Sequence, residues 1–236
     1  ARTAWTPRFG AVYSFGHGLS GYVSRSETFA PIFNVNPDGT TFKPRTSEQD
    51  EIGLKFDGLE GKVSAVVAYY DRADRNTLIN HPDPALNSAG YRVQIPGDNQ
   101  KGFELDLLVS PLSGLQVMVG ASKIDAELLS GFLPENVPTR TLSSFGSYTL
   151  QSGPAKGLRF GLGYIKFNKR AGNSTNTYFM PGYDVWNAMA SYAWGRNEVQ
   201  LNVENIEDEF YLDNGGSSGI EPGAPRAVRV RFTHRF

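Results

Sequence analysis

Few residues in this chain are spaced for reaction chemistry. Its three histidines, His17, His81 and His234, fall in a short Gly-flanked turn, a long loop and a terminal strand. Nothing in that spacing suggests a metal site or a base beside a nucleophile. Cysteine is absent, which removes thiolate ligands and disulfides together. Glu104 and Asp106 project to one side of an alternating stretch and imitate a carboxylate pair, but they read better as the charged face of a strand. The glycine-rich run 214–219 lacks the Lys-Ser/Thr of a phosphate loop and opens no helical pattern, so it reads as a flexible loop. Asn173-Ser174-Thr175 matches a glycosylation acceptor only at the level of chance. The expectation is a protein that is not an enzyme, with no catalytic residue, no metal ligand and no resident cofactor.

The elements that must carry these residues are strands. Among 236 residues there are 26 Gly, 15 Phe, 11 Tyr and 3 Trp, and no apolar run approaches the roughly 20 residues of a spanning helix. A net charge of -1 gives no hold on nucleic acid. The mean hydropathy of -0.36 does not exclude a membrane barrel, whose strands alternate apolar with polar residues and whose loops are polar. Period-two alternation recurs near 9–15, 19–26, 48–56, 62–71, 100–110, 115–125, 140–150, 158–167, 183–194, 198–205 and 227–236, which makes eleven strands and no helix.

The connections between these strands alternate strictly in length. Short ones at 16–18, 57–61, 111–114, 151–157 and 195–197 interleave with long ones at 27–47, 72–99, 126–139, 168–182 and 206–226. A sandwich has no reason to sort loops by parity, whereas an outer-membrane barrel has short periplasmic turns and long extracellular loops. With the first strand running downward, the eleventh also runs downward and leaves the C-terminus in the periplasm.

Individual strands carry the same message. Val228, Val230, Phe232, His234 and Phe236 share one face, opposite Arg229, Arg231, Thr233 and Arg235. A one-residue slip would turn three arginines toward lipid, at roughly 2–4 kcal/mol each near the midplane. Strand 183–194 puts Trp186 and Trp194 at the ends of a face that holds Ala188, Ala190 and Tyr192, like two interfacial girdles. Phe103, Leu105, Leu107 and Val109 oppose Glu104 and Asp106, and Leu115, Val117, Val119 and Ala121 oppose Gln116 and Ser122. Both patterns also suit half-buried strands of a soluble β-rich binding protein, the alternative from another class.

Phe42-Lys43-Pro44 followed by Glu51-Ile52-Gly53-Leu54-Lys55 is similar to an L-K-P-E segment leading into a Y-E-V-G-x-K strand in the TonB-dependent siderophore receptors, and the resemblance to the C-terminal barrel of that family runs over nearly the whole chain. Gly102-Phe103-Glu104-Leu105-Asp106 resembles its G-x-E-x-D strand, and Asn136-Val137-Pro138 and Pro181-Gly182-Tyr183 sit where it has turns. Leu201-Asn202-Val203-Glu204-Asn205-Ile206-Glu207-Asp208, with Tyr211 after it, is similar to L-N-V-x-N-L-F-D and its following Tyr. Pro222-Gly223-Ala224-Pro225-Arg226 leads into a terminal strand ending Arg235-Phe236. Ile206-Glu207 replaces Leu-Phe, and His234 stands where Tyr is common.

This resemblance implies an all-β, antiparallel transmembrane barrel fragment. Residues 1–236 would supply about 11 strands of a 22-stranded plugged barrel, with the plug and the TonB-binding segment outside this chain. The opening Ala1-Arg2-Thr3-Ala4-Trp5, without Met, reads as a piece of something longer. The implied function is TonB-dependent uptake of a ferric siderophore across the bacterial outer membrane, with cobalamin or haem as alternative cargo. Iron would arrive inside the siderophore. Expected partners are the siderophore, TonB, outer-membrane lipid and the barrel assembly machinery. Ligand contacts are expected from the long loops, at Tyr91, Arg92, Tyr178, Phe179, Tyr211 and Glu221, where aromatics can cover a chelate and Arg can attract an anionic one. The competing reading is that these residues pack the loops together. The assembly signal is expected at Val228, Val230, Phe232 and Phe236.

Overall fold

In a computed structural model of the chain, residues 5–216 and 219–236 are described; residues 1–4, and Ser217 and Ser218 of the glycine-rich run, lie outside them. Eleven strands form one antiparallel sheet: β1 (Arg8–Gly16), β2 (Leu19–Ala30), β3 (Arg45–Gly58), β4 (Val63–Asn80), β5 (Arg92–Val109), β6 (Leu115–Leu128), β7 (Arg140–Thr149) and β8 (Arg159–Phe167), then β11 (Tyr183–Trp194), β12 (Asn197–Glu204) and β15 (Ala227–His234). Two small hairpins interrupt the numbering, β9 (Arg170–Ala171) with β10 (Phe179–Met180), and β13 (Leu212–Gly216) with β14 (Gly219–Pro222). Each sheet strand pairs with its neighbours in order, so the fold is a meander with free edges at β1 and β15 and is not closed.

All eleven anticipated strands form, and the boundaries differ most in β4 and β5. Their ladder runs on from Arg72↔Gln100 through Asn80↔Arg92. This upper part is mostly polar, and the alternation of Val93 and Ile95 with Arg92 and Gln94 spans too few residues to mark a strand, so it reads as loop. At its kink Asn76 adopts φ 57° and donates Nδ2 to the Pro44 carbonyl at 2.9 Å, where Pro96 has no N–H to offer across the ladder. The tip holds a helix that the sequence reading does not anticipate, α1 (Pro84–Ser88). Asp83 caps it by accepting from the Ala85 N–H at 2.8 Å, and Pro84 presets the first helical position. Five residues are too few to show a period. The terminal strand stops at His234, so Phe236 lies beyond the last paired residue rather than within the ladder.

The ladder registers sort the side chains into two faces. Val23, Ile52, Tyr69 and Phe103 lie opposite one another in turn across β2 to β5, and Val199, Leu201 and Val203 face Phe232, Val230 and Val228 across β12 and β15. Val230 is 70% exposed and Phe103 56%. A half-buried soluble sheet would bury such a face beneath a second layer; among the described residues no second sheet covers it.

The opposite face is polar and locally close-packed. The Tyr22 ring lies across Gly53, where a Cβ would meet it at 2.4 Å, and the Tyr70 hydroxyl lies 2.6 Å from where a Cβ on Gly102 would stand. Glycine at these two positions lets each aromatic lie flat against the neighbouring strand.

Candidate functional site

The long connections gather at one end of the sheet and lock together through side chain to backbone bonds. At the top of β4, Asn80 donates Nδ2 to Glu135 Oε1 at 2.5 Å. Glu135 also accepts from the Ser174 N–H, and Arg92 stands near enough to favour its charge. Burial nevertheless wins and holds its carboxyl above the ordinary glutamate range. Beside it, Asn136 clasps Gly215, donating to its carbonyl at 2.9 Å and accepting from its N–H at 3.0 Å. Tyr178 does the same to Gly216: its hydroxyl donates to the carbonyl at 3.0 Å and accepts from the N–H at 2.9 Å. Asn176 makes a third clasp with Leu133, at 2.7 and 2.9 Å.

Arg170 is the most deeply placed cation of this mouth, 4% exposed. Its Nη2 donates to the carbonyls of Leu212 and Asp213 at 2.6 and 2.8 Å, and its guanidinium lies 5.4 Å from the Tyr183 ring centroid. Among the described residues Nη1 has no hydrogen-bond partner. Tyr183 stacks on Tyr211 with centroids 4.3 Å apart, and its hydroxyl donates to Asp213 Oδ1 at 3.2 Å. Below this pair a cavity of about 660 Å³ opens on the inner wall, lined by Phe145, Ile165, Phe167, Val185, Met189, Asn187, Gln200, Asn202, Glu204 and Asp213 among others. Its apolar lining escapes sequence reading because Phe145, Ile165, Phe167 and Met189 sit on the polar side of the alternation.

Asn205 holds the last long connection in place. It takes φ 49°, is 3% exposed, and its amide donates to the carbonyls of Glu209 and Ala224 at 2.9 and 3.1 Å while its Oδ1 accepts from the Glu209 N–H at 2.9 Å. An Asn side chain can serve this left-handed turn and satisfy its backbone together.

The six anticipated ligand residues divide into two groups. Tyr178 and Tyr211 are committed to packing loops, Tyr178 through Gly216 and Tyr211 through Tyr183 and against Gly223, where a Cβ would lie 2.0 Å from its ring. Arg92 begins β5 near Glu135, and Tyr91 precedes it, its N–H donating to the Leu86 carbonyl in the middle of α1. Phe179 is exposed with Lys169 Nζ 4.5 Å from its ring centroid, and Glu221 is exposed and accepts weakly from Asn214 at 3.4 Å. No hydrogen bond or ring contact joins Tyr91, Phe179 and Glu221 among the described residues.

Further down the polar wall, Asp74 is fully buried between Arg45 and Arg72, with Arg72 Nη2 at 2.9 Å and Arg72 Nε also donating to Ser47 at 3.1 Å. Tyr22 donates to Glu51 at 2.5 Å, and Gln49 adds a bond at 3.0 Å. Glu104 and Asp106 share this face on β5, and Glu104 has no hydrogen-bonding or cationic partner among the described residues. They stand as charges of the inner wall. The histidines stay apart: His81 accepts from the Asp83 N–H at 3.1 Å, His234 meets Asn197 at 2.8 Å on a different strand pair, and His17 occupies the β1–β2 turn with φ 51°.

A family model described as TonB dependent receptor-like, beta-barrel, matches residues 1–206. The ferrichrome outer membrane transporter/phage receptor of Escherichia coli K12 is 28% identical over 243 residues, a match covering 98% of this chain and 32% of that protein. The ferric-pyoverdine 358 receptor of Pseudomonas putida is 29% identical over 241 residues, covering 98% and 29%. Among solved structures, the ferripyoverdine receptor of the Pseudomonas aeruginosa outer membrane superimposes with a TM-score of 0.78 at 23% identity, over 97% of this chain and 32% of that one, a likeness of fold. The chain spans about a third of the length of these relatives.

Proposed function

Because this chain belongs to the TonB-dependent receptor β-barrel family, we propose that it forms the C-terminal part of the barrel wall and half of the extracellular mouth of a receptor that takes up a ferric siderophore. The observation that carries this reading is the two-faced meander whose long connections lock into a single mouth while its apolar face stays uncovered. Relatives named for ferrichrome, ferric pyoverdine and ferrioxamine support a chelated ferric cargo.

In this reading the siderophore meets the mouth from outside. Tyr91, Arg92, Phe179 and Glu221 offer ring faces and charge to its periphery, while Tyr178 and Tyr211 fix the loops that present them. Iron stays within the chelate and takes no protein ligand. TonB acts from the periplasm through a plug and an N-terminal segment supplied by the rest of the receptor. Residues Val228, Val230, Phe232 and Phe236 address the chain to the barrel assembly machinery, with the C-terminus in the periplasm.

Uptake of radiolabelled ferric siderophore by cells carrying the full-length receptor, with and without TonB, tests this. Accumulation is expected only with TonB. Equal accumulation in both strains would refute energy-coupled import and leave a passive pore.

A further inference from the structure

The glycine-rich run opens on the one Asn-Gly pair of the chain, Asn214-Gly215. An asparagine before glycine is prone to cyclise, because a glycine nitrogen has no neighbouring side chain to shield it from the amide carbon before it. Once hydroxide removes its proton, the Gly215 nitrogen can attack Asn214 Cγ: a C–N bond forms, the Cγ–Nδ2 bond breaks, and Nδ2 leaves as ammonia with a proton from water. Water then opens the cyclic imide at either carbonyl, giving isoaspartate or aspartate. The net change is water gained and ammonia lost.

The docked mouth holds both partners of this reaction apart. Asn214 pairs with Glu221 and Gly215 with Ile220 in the β13–β14 ladder, and ring closure needs Asn214 to rotate out of that extended backbone. The nucleophile is itself engaged, since the Gly215 N–H donates to Asn136 Oδ1 at 3.0 Å and its carbonyl accepts from Asn136 Nδ2 at 2.9 Å. Gly215 is buried, and Tyr178 clasps the next residue, Gly216, on both its backbone groups. Asn214, by contrast, is exposed, its amide donating to Glu221 Oε2 at 3.4 Å, so water reaches the electrophile. The reactive pair is also unavoidable there. A Cβ at position 215 would lie 2.6 Å from the Gly172 carbonyl oxygen and 3.0 Å from Met180 Sδ, so the hairpin docks only with the glycine that makes Asn214 reactive.

We propose that Asn214 is a site of spontaneous covalent modification that is silent while the β13–β14 hairpin is docked and reacts when it lifts, so that the product fixes the mouth in its undocked form. Isoaspartate adds a methylene to the main chain and breaks the ladder register at Asn214↔Glu221. Either product sets a new carboxylate next to Asp213 and opposite Glu221, where an amide donor stood. Repulsion there opposes redocking.

The test ages the purified full-length receptor at mildly alkaline pH and reads residue 214 by peptide mapping, with isoaspartate methyltransferase labelling to separate the two products. Conversion in the folded wild type should be about a hundredfold or more slower than in the same receptor unfolded by denaturant. Tyr178→Phe should accelerate it by roughly 5- to 30-fold, the factor by which the hairpin opens more often, and Asn136→Ala should accelerate it as well. Should one variant lack heat-modifiable migration, the other is read. Converted molecules, separated from unconverted ones by charge, should lose hydrogen-exchange protection at Leu212–Gly216 and keep it in β4 and β5. A folded wild type that converts as fast as the unfolded chain, rates unchanged in the variants, or aspartate as the sole product would overturn the gated imide route. Unchanged protection in the converted molecules would overturn the fixing of the mouth.

Discussion

Replacing Tyr178 by Phe removes one oxygen and two hydrogen bonds. The hydroxyl donates to the Gly216 carbonyl at 3.0 Å and accepts from its N–H at 2.9 Å, so the variant leaves both backbone groups of β13 without that partner. A net hydrogen bond is worth about 0.5–1.5 kcal/mol, and a fully buried group left unsatisfied costs more. Both residues are only half-buried, so water recovers part of the loss, and about 1–2 kcal/mol of docking energy remains at stake. That corresponds to roughly a 5- to 30-fold rise in the opening equilibrium of the hairpin. Hydrogen exchange of the full-length receptor reads it directly. Amides of Leu212–Gly216 should lose protection by that factor, while those of β4 and β5 below the mouth stay unchanged. Unchanged protection at β13 would refute the clasp, and a uniform loss over all strands would mean that Tyr178 supports the wall rather than the mouth.

Three other outcomes test the remaining arguments. A cysteine at Ser88 should react with an impermeant label on intact cells and cysteines at Ser113 or Ser152 should not; the reverse would sink the topology. The raised carboxyl of Glu135 means that the docked mouth holds its proton to higher pH than the undocked one does, so docking weakens as pH climbs from the ordinary glutamate range through the raised value. Protection of β13 should fall with pH over that window in the wild type but not in Glu135→Gln, and parallel profiles would remove Glu135 from the mouth. Deletion of Phe236 should lower the amount of heat-modifiable barrel while molecules that fold bind siderophore normally; normal abundance with weakened binding would move the terminus into a ligand-coupled role.

The wall was legible because its physics repeats every two residues. One-residue slips at Arg229 or Glu104 would put charge into lipid, so alternation alone sets the ladders, and loop parity sets their order. The mouth was not legible in the same way. Asn136, Tyr178 and Arg170 act on backbone groups 79, 38 and 42 residues away, and no local pattern in a loop reports a partner so distant. The upper halves of β4 and β5 escaped for a related reason: around the kink both faces are polar, and the beat of Val93 and Ile95 beyond it is too short to mark a strand.

The inner wall bears on what fills the barrel. From β3 to β5 it carries Glu51, Glu104, Asp106 and the Arg45–Asp74–Arg72 cluster, chemistry that suits a wet lumen. On β7, β8 and β11 the same face turns apolar at Phe145, Ile165, Phe167, Val185 and Met189, which line a common concavity. Ile165 is 37% exposed there, with no covering layer among the described residues. Apolar surface held against water is unfavourable by about 25 cal/mol per Å², and a water-filled pore would have no use for five such side chains on one patch. A lumen occupied by another folded element does: it would meet an apolar seat on one side and counter-charge on the other, with the unpartnered Glu104 drawing a cation from it. The uneven chemistry of this single wall therefore fits the plug proposed above better than an open pore, because a two-sided occupant would match both halves.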